Sequence, residues 1–452
     1  MADLPSAPQP PDQTSDQLPE NPNLWSPLRR LIFRLVFCYC MLYALCCGNA
    51  TIWELIPFHV GEHLSDWTNW PFSHAAEWLA QHSFHVQGVG AKLHETGSGD
   101  TAIAWIELGV FAVTAIVASL IWTGLDRKRT HYRKLFGWMR FILRISLGYA
   151  MLSYGLVKVF PLQMPPPSLA VLNEPLGSTS PMTLLWTLIG LNPVYEMVCG
   201  LAEVAAGVLI LFRRTALAGA LLTAFVVSNV VLYNFFFDVP VKIFASHLLL
   251  LAIVVIAPDV PALLRFFFLH KPAVPTGSWM LPEKKRVLRI ETCVIVVVLL
   301  LTSGMNGYEF TKSIQRSREG LVHPSPFAGI WRLDAATLNG QPKPYLTGDG
   351  LPMTALSLEP TGRVMARASD NALWRGGWKL DTKKHALFVY SVGHGGVDYS
   401  YAQSDANHLV LTPTGDDARK ESVLNLTRVP LPASYPLETR GFHLINEWGL
   451  ER

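Results

Sequence analysis

Polar side chains that could do chemistry lie inside apolar sequence. The stretch from Ser228 to His247 joins two apolar runs and carries Asn229, Asn234, Asp238, Lys242 and His247. A charge left to hydrocarbon near a bilayer centre costs roughly 2.5 to 3.5 kcal/mol, so such residues pair, snorkel or line a site. Helical spacing puts Arg144, Gly148, Met151, Gly155 and Lys158 on one face, and Glu196, Gly200, Glu203 and Gly207 on one face of a later run. Glycines let helices approach closely, so these charges are expected to meet between helices. Tyr154 and Lys158 late in one run, Glu196 early in the next and Glu107 early in another would converge at one depth with the Asn234 to His247 group. Glu203 and Asn229 would form the floor. Two readings stay open. One is ion pairing that locks the helices, with Asp238 capping a hairpin, Lys158 and Lys242 snorkelling and His247 packing. The other is a polar pocket for a substrate. Arg140, Arg144 and Glu291 lie at the other depth, where interface or snorkelling roles are simpler.

The elements that must position these groups are apolar runs near the ~20 residues that cross ~30 Å of hydrocarbon. Seven are found: Leu28 to Ala50, Ala102 to Thr123, Leu135 to Phe160, Val194 to Phe212, Ala216 to Phe237, Val241 to Ala257 and Val287 to Tyr308. Met182 to Gly190 is too short and reads as an interfacial or re-entrant prelude. Half of the 452 residues are hydrophobic and 16% are charged, with mean hydropathy +0.26. That composition excludes an ordinary soluble protein and predicts a polytopic α-helical membrane bundle embedded in a lipid bilayer. The net charge of +3 forms no basic stripe, so no nucleic-acid partner is expected.

Lys and Arg cluster before the first run and in every second connection, namely Arg127 to Lys134, Arg213-Arg214 and Arg265 to Arg289. The positive-inside rule then puts the N-terminus in the cytoplasm and the C-terminal domain outside. The expected domains are a disordered cytoplasmic tail over 1–27, a transmembrane domain over 28–308 with an outer loop at 51–101, a linker over 309–326, an all-β domain over 327–430 and a C-terminal tail over 431–452.

The outer loop holds Trp53, Trp67, Trp70 and Trp78 and a short amphipathic run around Ser73 to Leu79, suited to the headgroup level. Its histidines include His59 and His63 at i,i+4 spacing, but with no Cys or HExxH context no metal site is expected. Gly97 to Asp100 reads as a turn and helix N-cap before the second run. Downstream, eight short alternating segments fit a β-barrel or sandwich, with hairpin turns at Gly362, Asp381 to Lys384 and Asp405 to Asn407. Phe327-Ala-Gly-Ile-Trp331 resembles the Gly-x-Trp opening of lipocalin-like barrels, where the Trp closes one end.

Arg144-x3-Gly148-x6-Gly155-x2-Lys158, followed by Gly200-x2-Glu203-x3-Gly207 and Arg214, resembles the four-helix core of the DoxX family over about 136–257. Tyr154 to Pro161 and Asp238 to Lys242 look like pieces of bacterial DoxX-like proteins that carry an exterior β-domain. The resemblance implies a bacterial cytoplasmic membrane and quinone-linked oxidoreduction. A quinone site wants an apolar groove with proton donors and acceptors at its polar end, which Tyr154, Lys158, Glu203, Asp238 and His247 could supply. No Cys-x2-Cys, Gly-x-Gly-x2-Gly or c-haem sequence provides an electron carrier, so no covalently bound cofactor is expected, quinone would be a substrate, and turnover would need a redox partner subunit. The other reading is a non-enzymatic membrane anchor for an exterior lipocalin-like domain that binds lipid or an envelope component.

Overall fold

The computed structural model describes residues 25–47, 52–56, 60–86, 98–273, 285–322, 325–342, 353–368, 373–391, 395–415 and 422–439. Residues 1–24 of the expected disordered tail, His59, and 440–452 of the C-terminal tail lie outside the described residues, whereas the last three residues of the expected disordered tail are ordered, with Trp25 buried and α1 opening at Pro27. The chain forms an N-terminal helical region followed by a closed β-barrel. The helices are α1 (Pro27–Cys46), α2 (Val60–His82), α3 (Ala102–Leu125), α4 (Arg133–Val159), α5 (Leu169–Leu172), α6 (Pro181–Gly190), α7 (Pro193–Leu211), α8 (Ala216–Phe236), α9 (Lys242–Ile256), α10 (Val260–Phe267), α11 (Lys285–Val322) and α12 (Pro436–Thr439).

Six helical stretches among the described residues are long and apolar enough to cross a membrane: Ala102–Leu125, Arg133–Val159, Pro193–Leu211, Ala216–Phe236, Lys242–Phe267 and Lys285–Gln315. Helix α1, the remaining expected span, carries Arg29, Arg30 and Arg34 and stops at Cys46. Two elements differ from expectation. Helix α2 is a single 23-residue helix with Pro71 inside it, where only a short amphipathic run was expected. Helix α11 continues through the expected linker to Val322.

The core of the bundle joins Tyr43 of α1, Leu143, Leu147 and Met151 of α4, Ile210 of α7 and Phe244, Leu248 and Leu251 of α9. Helices α4 and α7 pack closely along their glycines. A Cβ on Gly200 would lie 2.6 Å from the Gly155 carbonyl oxygen, and one on Gly155 would lie 2.8 Å from the Val204 nitrogen.

Arg34, Arg140 and Arg144 gather at one end of the bundle, where they are buried and paired instead of snorkelling. Arg34 donates to the Tyr132 hydroxyl at 2.9 Å, Thr123 Oγ1 at 3.0 Å and the Asp126 carbonyl at 2.7 Å, tying α1 to the α3–α4 connection. Arg140 pairs with Asp259 at 2.7 Å. Arg144 donates to the carbonyls of Ile210 at 2.9 Å and Leu211 at 2.5 Å, and Glu291 of α11 takes both Arg144 and Arg213. The reason is geometric. The C-terminus of α7 leaves carbonyls without helical donors at the level of Arg144, so the guanidinium has partners inside the bundle.

The barrel strands are β1 (Gly329–Leu338), β2 (Gln341–Pro342), β3 (Met353–Leu358), β4 (Arg363–Ala368), β5 (Leu373–Asp381), β6 (Ala386–Ser391), β7 (Gly395–Asp405), β8 (His408–Pro413) and β9 (Val423–Arg428). Each strand from β3 to β9 pairs antiparallel with the next, β1 pairs with β3, and β1 with β9 closes eight strands into a barrel; the two-residue β2 is appended to the end of β1. Turn chemistry follows the sequence. Gly362 has φ +80, and the Asp405 carboxylate accepts from the amides of Asn407 at 2.7 Å and His408 at 2.9 Å. Trp331 is fully buried, donates Nε1 to the Phe327 carbonyl at 2.8 Å and is covered by the Arg428 guanidinium 4.5 Å from its ring centre. Trp331, Trp378, Tyr399, Phe327 and leucines from seven positions between Leu333 and Leu426 fill the interior.

The barrel grips the connection between α4 and α6. Glu359 accepts from the Leu169 amide at 2.9 Å, Arg367 approaches Glu174 at 3.7 Å, and Asn173 donates to the Tyr435 hydroxyl at 2.7 Å.

Candidate functional site

The far end of the bundle, opposite the arginines, brings together some of the expected groups and separates others. Lys158 and Glu203 meet between α4 and α7 at 2.5 Å, both buried, as their shared glycine faces required. Glu196, two turns earlier on α7, points to the α4–α6 connection, where its Oε1 accepts from the amides of Gln163 at 3.2 Å and Met164 at 3.0 Å. Lys158 and Glu203 thus tie the two helices together and Glu196 fixes the connection gripped by the barrel, while Glu196 Oε2 and Glu203 Oε2 have no hydrogen-bond partner among the described residues.

Asn229 does not form a floor; it is exposed on the outer face of α8. The helical phase decides this. Thr223, Val227 and Asn234 are among the buried positions of that helix, and Asn229 lies about 200° around from Val227 at ~100° per residue. Asn234 is buried and donates to the Val241 carbonyl at 3.4 Å across the α8–α9 turn. Asp238 takes φ +53 in that turn, a conformation that Asp tolerates better than most residues. Its side chain is 82% exposed and pairs with Lys242 at 2.9 Å. Lys242 also donates to the Val239 carbonyl at 3.3 Å within the same turn.

The residue that organises this turn comes from elsewhere. Asp100, just before α3, accepts from the amides of Lys242 at 2.7 Å and Ile243 at 2.9 Å, and Gly99 donates to the Pro240 carbonyl at 2.9 Å. Thr101 caps α3 instead, accepting from Ala104 at 3.4 Å. The expected cap before α3 thus serves α9, and local sequence held no sign of a partner so distant.

His247 stands apart from Lys158. Its Nδ1 donates to the Ile243 carbonyl at 2.7 Å, which leaves Nε2 to accept from the Tyr39 hydroxyl at 2.7 Å. The ring stacks on Tyr43 at 4.0 Å between centres. Tyr39 and Tyr43 were read only as part of an apolar run; their spacing of four places both on one face of α1.

Beside Tyr43, a cavity of about 60 Å³ opens among α1, α2, α3, α4 and α9, lined among others by Tyr43, Asn69, Thr101, Glu107, Tyr154 and Phe244. Of the expected site residues, Tyr154 lines it, its ring 5.5 Å from that of Phe244. Glu107 is its buried charge-bearing group, 8% exposed, hydrogen-bonded by the Asn69 side chain, with Oε1 left without a hydrogen-bond partner among the described residues. A single carboxylate in a helix of such high hydropathy was the available sequence signal for Glu107. Asn69 gave none, because α2 was not expected to pack against α3.

Among the described residues, no group of three or more His, Cys, Asp or Glu could hold a metal ion. His74 and His82 turn their Nδ1 atoms to carbonyls one turn back at 2.9 Å. All six cysteines are free thiols.

No family model matches the chain, and no solved structure matches it. The chain is similar to a protein of Bacillus subtilis (strain 168) described as uncharacterized protein YwoB, 30% identical over 125 residues, which cover 26% of this chain and 73% of that protein.

Proposed function

We propose, from the premise that this chain belongs to the same family as the uncharacterized Bacillus subtilis protein YwoB, that it is a multi-pass membrane protein with a small-molecule site at the outer end of its bundle. The apolar helices are the spans, and the arginine end faces the cytoplasm by the positive-inside rule. The barrel then lies outside, in keeping with a DoxX-like core carrying an exterior β-domain. The ligand is a quinone-like or other amphipathic molecule whose polar head enters the cavity beside Glu107 and whose apolar part runs between helices.

The observation that carries this reading is the cavity itself: a buried carboxylate with an unpartnered oxygen faces a space walled mostly by apolar and aromatic side chains. Ligand sites commonly have this composition, a few convergent polar groups in an apolar concavity. The Lys158, Glu203 and Glu196 side chains do not line this cavity; Lys158 pairs with Glu203 and Glu196 accepts the Gln163 and Met164 amides, with Glu196 Oε2 and Glu203 Oε2 left over. Redox turnover would require a partner subunit to carry electrons. The alternative reading, an anchor for a lipid-binding barrel, finds less support, since aromatic and leucine side chains occupy the barrel interior.

Extraction of the purified full-length protein followed by mass spectrometry tests the proposal. An amphipathic molecule should co-purify with the wild type and be lost from Ala104→Phe, which fills the cavity. Empty protein from native membranes, repeated across growth conditions, would refute it.

A further inference from the structure

The connection between α3 and α4 folds around a hollow of about 490 Å³, lined among others by Asp126, Lys128, Arg129, His131, Arg133 and Lys134. Its one carboxylate is already used: Asp126 accepts from Arg129 Nε at 3.1 Å and from the Tyr132 hydroxyl at 3.0 Å. Lys128 and Lys134 are exposed and have no carboxylate partner among the described residues. His131 Nδ1 is buried, also without a hydrogen-bond partner among them. Helix α4 starts at the same place with no side chain capping its first amides, so their partial positive charge adds to that of the side chains. The positive-inside rule calls for basic residues in this connection but not for a hollow between them. Cations held around one hollow repel each other, and an anion placed among them removes that cost.

The surface beside the hollow narrows the kind of anion. Trp138 follows Lys134 by four residues on the same face of α4, is 44% exposed and has the Phe141 ring 6.1 Å from its own. Leu125, which ends α3 next to Asp126, is 83% exposed. The basic hollow therefore continues into apolar surface on two helices read as spans, with a tryptophan at the boundary, as at a membrane–water interface. A soluble phosphate would use the hollow alone, whereas a phospholipid uses both surfaces, its phosphate among the cations and its acyl chains along the helices. We propose that the α3–α4 connection binds the phosphate headgroup of an anionic phospholipid in the cytoplasmic leaflet. This rests on the reading of the apolar helices as membrane spans and is independent of the cavity beside Glu107.

Native mass spectrometry of the purified full-length protein in detergent, titrated with dioleoylphosphatidylglycerol or dioleoylphosphatidylcholine, tests it. Phosphatidylglycerol should bind roughly tenfold or more tightly, the ratio expected when two or more cations act on its uncompensated charge. Lys128→Gln with Lys134→Gln should bring it close to the phosphatidylcholine level, and Arg265→Gln with Lys271→Gln, exposed residues of another basic connection, should not. Equal binding of the two lipids by the wild type, or an equal loss in both double variants, would overturn the proposal, because the charge would then act as a diffuse surface. Glycerol phosphate that competes as well as the lipid would overturn the lipid assignment and leave a site for soluble phosphates. Binding of neither lipid would overturn the membrane reading and this inference with it. The wild-type ranking decides the matter even if a variant fails to fold.

Discussion

Asp100 and Lys242 are joined through the backbone: the Asp100 carboxylate accepts the Lys242 amide at 2.7 Å and the Ile243 amide at 2.9 Å, so the turn that opens α3 closes the N-terminus of α9. A carboxylate at a helix N-terminus satisfies amides that have no helical acceptor and opposes the helix dipole. The same contact brings Gly99 and Thr101 to the rim of the cavity, so a structural cap also shapes the candidate site.

Replacing Asp100 by Ala should therefore lower stability by about 1 to 2 kcal/mol, the usual cost of a lost N-cap, with Asp100→Asn nearer wild type. Unfolding midpoints in one detergent measure this. An unchanged midpoint for Asp100→Ala would mean that the α9 amides find another acceptor.

Lys158 and Glu203 should behave as a buried pair. Lys158→Met alone leaves an uncompensated carboxylate and is expected to cost roughly 3 to 5 kcal/mol, whereas Lys158→Met with Glu203→Leu should recover most of the loss. A double variant as unstable as the sum of the singles would contradict the pairing.

Asp238 and Lys242 contrast with that pair. The Asp238 side chain is 82% exposed, so Asp238→Asn should change stability by about 1 kcal/mol or less. Ligand co-purification should be unaffected. Loss of ligand with an intact fold would restore Asp238 to the site.

The grip of the barrel on the α4–α6 connection should depend on pH. Burial pushes the carboxyls of Glu174 and Glu359 above their ordinary value of 4.5, against the smaller opposing effects of Arg367 on Glu174, and of Ser357 and the Leu169 amide on Glu359. A carboxyl raised in the docked state holds its proton more tightly there than when released. Docking is thus firmest below the ordinary carboxyl value and weakens as pH rises through the raised values. Hydrogen exchange of 169–174 should accelerate over that window beyond its intrinsic pH dependence, and Glu174→Gln with Glu359→Gln should flatten the response. A profile that runs the other way would mean that the ion pair with Arg367 outweighs burial.

Much of the architecture was legible in the sequence because it follows from local periodicity. Apolar runs marked the long helices other than α2, and alternation with turn residues marked all eight barrel strands. The glycine faces of α4 and α7 placed Lys158 and Glu203 at a contact between helices, since a helix of known pitch fixes which residues share a face, but their pairing with each other, where a floor of Glu203 and Asn229 was expected, came from the packing. Charge patterning also grouped the basic connections that the fold gathers at one end.

Tertiary structure alone decided which polar residues do what. Asn229 and Asn234 are alike in sequence, yet the rotation of α8 exposes one and buries the other. Asp100 could be assigned to α9, Arg144 to the end of α7, and Asn69 to Glu107 only once those elements were packed, because each partner lies far away along the chain. Helical periodicity reports the face a side chain occupies and is silent about the neighbour that covers that face. The candidate site was consequently visible as a depth in the bundle, with Tyr154 and Glu107 at that level, and its cavity emerged only from the packing of α1, α2, α3, α4 and α9 around them.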